Sequence, residues 1–178
     1  MTKQFIPAVI VALCISAVPT IACADTFMFI QGIAGDATDP AHKNWIRISS
    51  LNWAVKNNTT IGTATGGAGA GKLQGDTVKL TIPTGPWSRE FVSTMSRGAN
   101  FAQVIIDHVN PDGRPSYRVT IGTFFPTLYR NAPTAKAAAQ DEIEGVFGTF
   151  RAEFYTVGPD GRVSATPVGW SMITNTAF

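Results

Sequence analysis

The chain of 178 residues predicts a mainly β fold with a single helix. Apolar and polar side chains alternate with period two through several short runs, and glycines and prolines cluster between those runs. The tetrapeptide Pro-Asp-Gly-Arg also occurs twice, as Pro111-Asp112-Gly113-Arg114 and Pro159-Asp160-Gly161-Arg162. Proline presets the first turn angle and glycine takes positive φ, so each copy reads as a hairpin turn. Local turn chemistry explains the repetition better than internal duplication.

Residues 1–24 read as a leader rather than as part of the fold. Lys3 is followed by an apolar run over 5–18, a break at Pro19 and the small-residue site Ala22-Cys23-Ala24, the pattern of a secretory signal peptide cleaved after Ala24. The run is too short for a membrane span, and no later segment is long and apolar enough. Cys14 and Cys23 both fall in this segment, so the mature chain is expected to lack disulfide and thiol chemistry. Acylation and retention of Cys23 is the less favoured alternative, because Thr20 stands where a lipoprotein site wants an aliphatic residue. The remaining 154 residues are expected to form one domain, 25–178, with 13 cations against 12 anions. That balance, without a basic run, argues against nucleic acid and against an anionic membrane surface as main partners.

Along 25–178, residues 27–31 form a first short strand, followed by a polar loop. In 45–55, Ile46 and Ile48 alternate with polar residues, then Leu51, Trp53 and Val55 alternate in the opposite phase. A bulge at Ser49-Ser50 accounts for the slip, since one extra residue returns later side chains to the same face. After a Gly-rich loop, Val78, Leu80 and Ile82 mark another strand. Thr84-Gly85-Pro86 then opens the helix and Gly98 stops it, with Phe91, Val92 and Met95 as its expected apolar face. Strands follow over 101–108, 117–129, 143–157 and 168–174. The alanine-rich 131–140 reads as a loop or one marginal helical turn.

Several constellations invite a chemical reading. Gly66 to Leu73 carries the G-x-x-x-x-G-K string of a phosphate loop, but Leu73 replaces the Ser or Thr that would hold magnesium, and a strand rather than a helix follows Lys72. His42 and His108 are the only histidines, and nothing in their spacing builds a metal site; a loop-anchoring hydrogen bond and a polar strand end fit them better. Without a G-x-S-x-G elbow there is no serine-hydrolase signature. Asp141, Glu142 and Glu144 offer a glycosidase-like carboxylate pair, with Asp107 as a further candidate, yet such pairs normally come from different elements across a cleft. Solvated carboxylates at the start of a strand are the better reading. Trp45, Trp53, Trp87 and Trp170 could stack on sugars, but core or interface packing fits better. No catalytic, metal or cofactor-binding residue is assigned.

In order along the chain, Phe29-Ile30-Gln31-Gly32-Ile33-Ala34-Gly35-Asp36-Ala37-Thr38, His42-Lys43 with Trp45-Ile46, and Leu51 with Trp53 resemble the opening of the Hcp family, the tube proteins of type VI secretion systems. Ser96-Arg97-Gly98-Ala99-Asn100-Phe101, Tyr117-Arg118-Val119-Thr120-Ile121 and Glu144, Val146 and Phe150 continue the similarity. The resemblance implies a compact β-barrel of two sheets with one side helix and no enzymatic activity. It further implies hexameric rings that stack into a tube with small effectors in the lumen. The loop over 57–75 would then make the ring-stacking contact, with Asn57, Gly66, Gly67, Gly69, Gly71 and Lys72 as its candidate residues. Three features depart from the pattern: the leader, the stretch Pro83-Thr84-Gly85-Pro86-Trp87 before the helix, and Ala54 where glycine is common. An exported orphan barrel that binds a peptide, glycan or envelope partner through Trp87 is the alternative.

Overall fold

The structure, a computed structural model, describes residues 24–57, 60–61, 68–69, 72–134 and 137–178. Among them the elements run β1 (Asp25–Ile30), β2 (Ile46–Ile48), β3 (Ser50–Asn52), β4 (Val55–Asn57), β5 (Thr60–Ile61), β6 (Ala68–Gly69), β7 (Leu73–Gly75), β8 (Val78–Pro83), α1 (Ser88–Ser96), β9 (Phe101–Val109), β10 (Pro115–Thr134), β11 (Ala137–Val157), β12 (Val163–Ser171) and β13 (Thr176–Ala177). The leader, with Cys14 and Cys23, lies outside the described residues.

The antiparallel pairings make a closed circuit. β1 pairs with β9, β9 with β10, β10 with β11, β11 with β8, and β8 with β3. The circuit closes because β3 continues into β2, and β2 pairs with β1. The predicted slip is the joint that allows this closure. The strand breaks at Ser49, whose N–H donates to the Thr81 carbonyl at 2.8 Å, and its partner changes from β1 to β8. Ile46 and Ile48 are buried before the break, and Leu51 and Trp53 pack against the same core after it.

The hairpin of β10 and β11 belongs to both halves of the barrel. Through Phe124, β10 lies between β9 and β11; from Phe125 on, β11 is its only strand partner among the described residues. Thr123 sits at φ 52°, where β-branched residues are rare, and marks the bend. β11 changes partner in step, pairing with β12 over 149–157 and with β8 over 140–145. The core fills between these walls with Met28, Ile46, Leu80, Ile106, Ile121 and Phe124 among its fully buried side chains. Both Pro-Asp-Gly-Arg segments are hairpin turns: Gly113 and Gly161 take φ 79° and 77°, and each donates its N–H to the carbonyl three residues back at 2.9 Å. Asp112 and Asp160 reinforce them by accepting from the Arg114 and Arg162 amides.

Two predicted features are corrected. The buried face of α1 is Ser88, Phe91 and Thr94, whereas Val92 is 41% exposed. Apolarity alone points to Val92, but the helix rotates so that Phe91 meets Phe101 edge-on at 5.2 Å and Ser88 reaches a buried carboxylate, Asp141. The described parts of 131–140 are strand, not loop or helical turn, because ladder partners outweigh alanine's helix propensity. Asn131 pairs with Asp141 across the hairpin, and Gln140 pairs with Pro83 on β8.

Candidate functional site

The described parts of residues 55–75 form an arm. β4 pairs with β7 in the register Val55 to Gly75 and Asn57 to Leu73, and β5 pairs with β6 in the register Thr60 to Gly69, so the chain leaves and re-joins the barrel as an antiparallel ribbon. Asp76 ties its root by donating its N–H to the Ala54 carbonyl at 2.8 Å. Gly75 is needed where the ribbon crosses the barrel wall, since a Cβ there would lie 2.8 Å from the Phe147 ring. A cleft of about 380 Å³ opens at this root, between Lys56, Lys72 and Leu73 of the arm and Phe147 and Met172 of the barrel. Lys72 and Asn57 are exposed, and Gly69 pairs with Thr60; Gly66, Gly67 and Gly71 lie outside the described residues. Lys72 leads directly into β7, so no helix N-terminus follows the G-x-x-x-x-G-K string.

The ionisable side chains singled out in the sequence are occupied elsewhere. His42 is buried, with Nδ1 2.8 Å from Asp39 Oδ1, Nε2 3.1 Å from Asp107 Oδ2, and its ring stacked on Phe27 at 4.4 Å. It pins the loop over 33–45 across β1 and β9, the anchoring role expected of it. The hydrogen bond from His42 holds the Asp39 carboxyl below the usual carboxylate range. Asp107 in turn accepts two bonds from the Arg118 guanidinium, at 2.5 and 2.6 Å, which raise the Arg118 pKa further. Glu153 faces Arg118 from the other side, so Asp107, Arg118 and Glu153 form one cross-strand row of alternating charge. His108 bonds Thr26 Oγ1 at 2.9 Å and stacks on Tyr117, as a polar strand end does.

The acidic cluster separates by strand parity. Glu142 and Glu144 point outward and pair with Arg130 at 2.6 Å and Lys79 at 3.1 Å, while Asp141 points inward and has no exposure at all. That corrects the solvated reading for Asp141. Burial alone would raise its pKa, but donors from Ser88, Asn131, Thr84 and Tyr129 prevail and hold it below the usual range. Trp87 is also corrected: it is 5% exposed, with Nε1 donating to the Pro83 carbonyl at 2.9 Å, and offers no stacking face. Trp53 packs on Phe150, Trp45 on Phe29 and His42, and Trp170 against the core. Sequence reasoning missed the Asp107–Arg118 pair, which depends on strand register. Asp39 was within reach, three residues before His42.

The architecture is thus a closed barrel with a ribbon arm, in which His42, His108, Asp107 and Asp141 brace loops and strands. The chain belongs to the Hcp family: the family described as type VI secretion system effector, Hcp, matches residues 27–124. That family consists of structural tube proteins, not enzymes. Among solved structures, the chain is similar to one described as a type six secretion system protein, with TM-score 0.79 and 22% identity, covering 86% of this chain and 99% of that one. It is also similar to Hcp1 from Salmonella typhimurium, with TM-score 0.72, 19% identity and coverage of 88% and 99%. A type VI secretion system effector from Yersinia pestis follows with TM-score 0.65, 18% identity and coverage of 83% and 99%. At these identities the structural likeness establishes the fold. No curated protein matches the chain in sequence. Among the described residues, no helix is long and apolar enough to cross a membrane.

Proposed function

We propose that residues 25–178 form one subunit of a hexameric ring, that rings stack into a tube through the arm over 57–75, and that residues 1–24 direct export and are removed. The observation that carries this reading is the family match over 27–124, since Hcp proteins form hexameric rings. The ribbon arm adds to it, with Asn57, Gly69 and Lys72 on its described part; Gly66, Gly67 and Gly71, outside the described residues, complete the proposed contact. Export fits the start of β1, because cleavage after Ala24 would leave Asp25 as the first residue of a complete strand. The lumen of such a ring is where small effectors would travel.

Light scattering behind size exclusion, run on chain 25–178, is expected to return the mass of a six-membered ring, with stacks visible by negative-stain electron microscopy. Deleting 63–71 is expected to abolish the stacks and keep the ring. A monomer at every concentration would overturn the ring, and loss of the ring on that deletion would overturn the assignment of the arm. For export, the intact mass of protein recovered from the periplasm should correspond to a chain beginning at Asp25. A retained leader would overturn that part.

A further inference from the structure

β12 is built unlike a finished surface. Its sequence, VSATPVGWS, contains no charge, and every residue over 163–168 is exposed. On one side it pairs with β11; on the other, β13 meets only Trp170 and Ser171. β10 withdraws at the Tyr117–Phe154 pair, so 155–157 and 163–165 continue as a bare two-stranded ribbon. Exposed apolar side chains stand on both faces of β11–β12, and on the core-side face they give way at the tip to the Thr156–Ser164 hydroxyl pair at 2.9 Å. Phe154 and Val168, each 51% exposed, continue the core-side face beyond Ala152, and Val157 and Val163, at 43% and 45%, pair on the opposite face. Isolated two-stranded ribbons are marginal in water, and exposed edge strands normally carry charges that deter association. Here Pro167 is the one deterrent, removing a backbone donor and leaving the side-chain faces to make contact.

A second apolar patch lies on another part of the barrel. Phe125 and Val146, 37% and 47% exposed, are direct cross-strand partners on the outer face beyond the Thr123 bend. The charges beside them are already neutralised within the chain, Glu144 by Lys79 and Glu142 by Arg130. A patch that meets its own copy closes at a dimer, whereas a ring needs two different patches that meet head to tail. From these observations we infer that the β11–β12 ribbon, through Phe154 and Val168 on its core-side face, docks on Phe125 and Val146 of the next copy of this chain. This assignment rests on the ring reading above.

The test uses chain 25–178 with Phe154→Glu plus Val168→Glu in one variant and Phe125→Glu plus Val146→Glu in another. Circular dichroism is recorded first; if either pair fails to fold, the milder Phe154→Ser with Val168→Thr, or Phe125→Ser with Val146→Thr, replaces it. Light scattering is expected to give a ring for the parent and single-chain mass for each variant. A 1:1 mixture should give dimers and nothing larger, because one intact donor meets one intact acceptor and neither product can extend. A folded variant that still forms the parent's ring, or a mixture that regains full rings, would overturn this contact while leaving the ring reading intact. A monomeric parent would overturn the ring reading and this contact with it.

Discussion

Asp141 stays an anion inside the barrel because donors from three elements converge on it: Thr84 after β8, Ser88 on α1 and Asn131 on β10. Its folded pKa lies below the unfolded one, so its contribution is complete above the unfolded value, about 3.9, and is lost as pH falls through the folded value. Urea unfolding of the parent should therefore show stability declining below about pH 4. Asp141→Asn should flatten part of that decline and cost about 2–4 kcal/mol at neutral pH, since its hydrogen-bond donors lose a charged acceptor. A variant as stable as the parent at pH 7 would remove the carboxylate from the account of how α1 is held. The carboxylate's position in the chain was plain, but its burial follows from strand parity: Asp141 and Ile143 face in, Glu142 and Glu144 face out.

At the scale of elements, the bent hairpin of β10 and β11 decides the architecture. Gly145 lies just past the bend, where a Cβ would sit 2.5 Å from both the Phe124 ring and the Phe125 carbonyl oxygen. Because one of those neighbours is backbone, Gly145→Ala cannot be absorbed by a side-chain shift and should cost about 1–3 kcal/mol in thermal or urea melts. An unchanged melting midpoint would mean the two halves of the hairpin approach less closely than described. The alternating strands, both tetrapeptide turns, the helix position and the Ser49-Ser50 slip were legible because each depends on local periodicity or turn chemistry. The helix face and the strand over 131–140 were not. Val92 resembles Phe91 in hydrophobicity, and alanines resemble helix, until Asp141 and the β8 ladder impose another arrangement.

For the molecule as a whole, assembly and folding should be linked. If the uncharged β12 ribbon is covered only in the ring, association stabilises the native chain by mass action, and the melting midpoint should rise with protein concentration. Differential scanning fluorimetry over a hundredfold concentration range checks this, and a constant midpoint would mean that the ring adds nothing to the stability of the fold. The sequence by itself determined the mainly β class, the turns, the family and the absence of a coherent phosphate loop, all carried by residue order and short-range spacing. Tertiary structure alone shows that the described parts of 55–75 pair as a ribbon, that His42 and Asp107 brace a loop, and that β12 stands exposed on both faces. Those properties depend on strand register and on where pairing stops, and register is a relation between residues far apart in the chain that local periodicity does not encode.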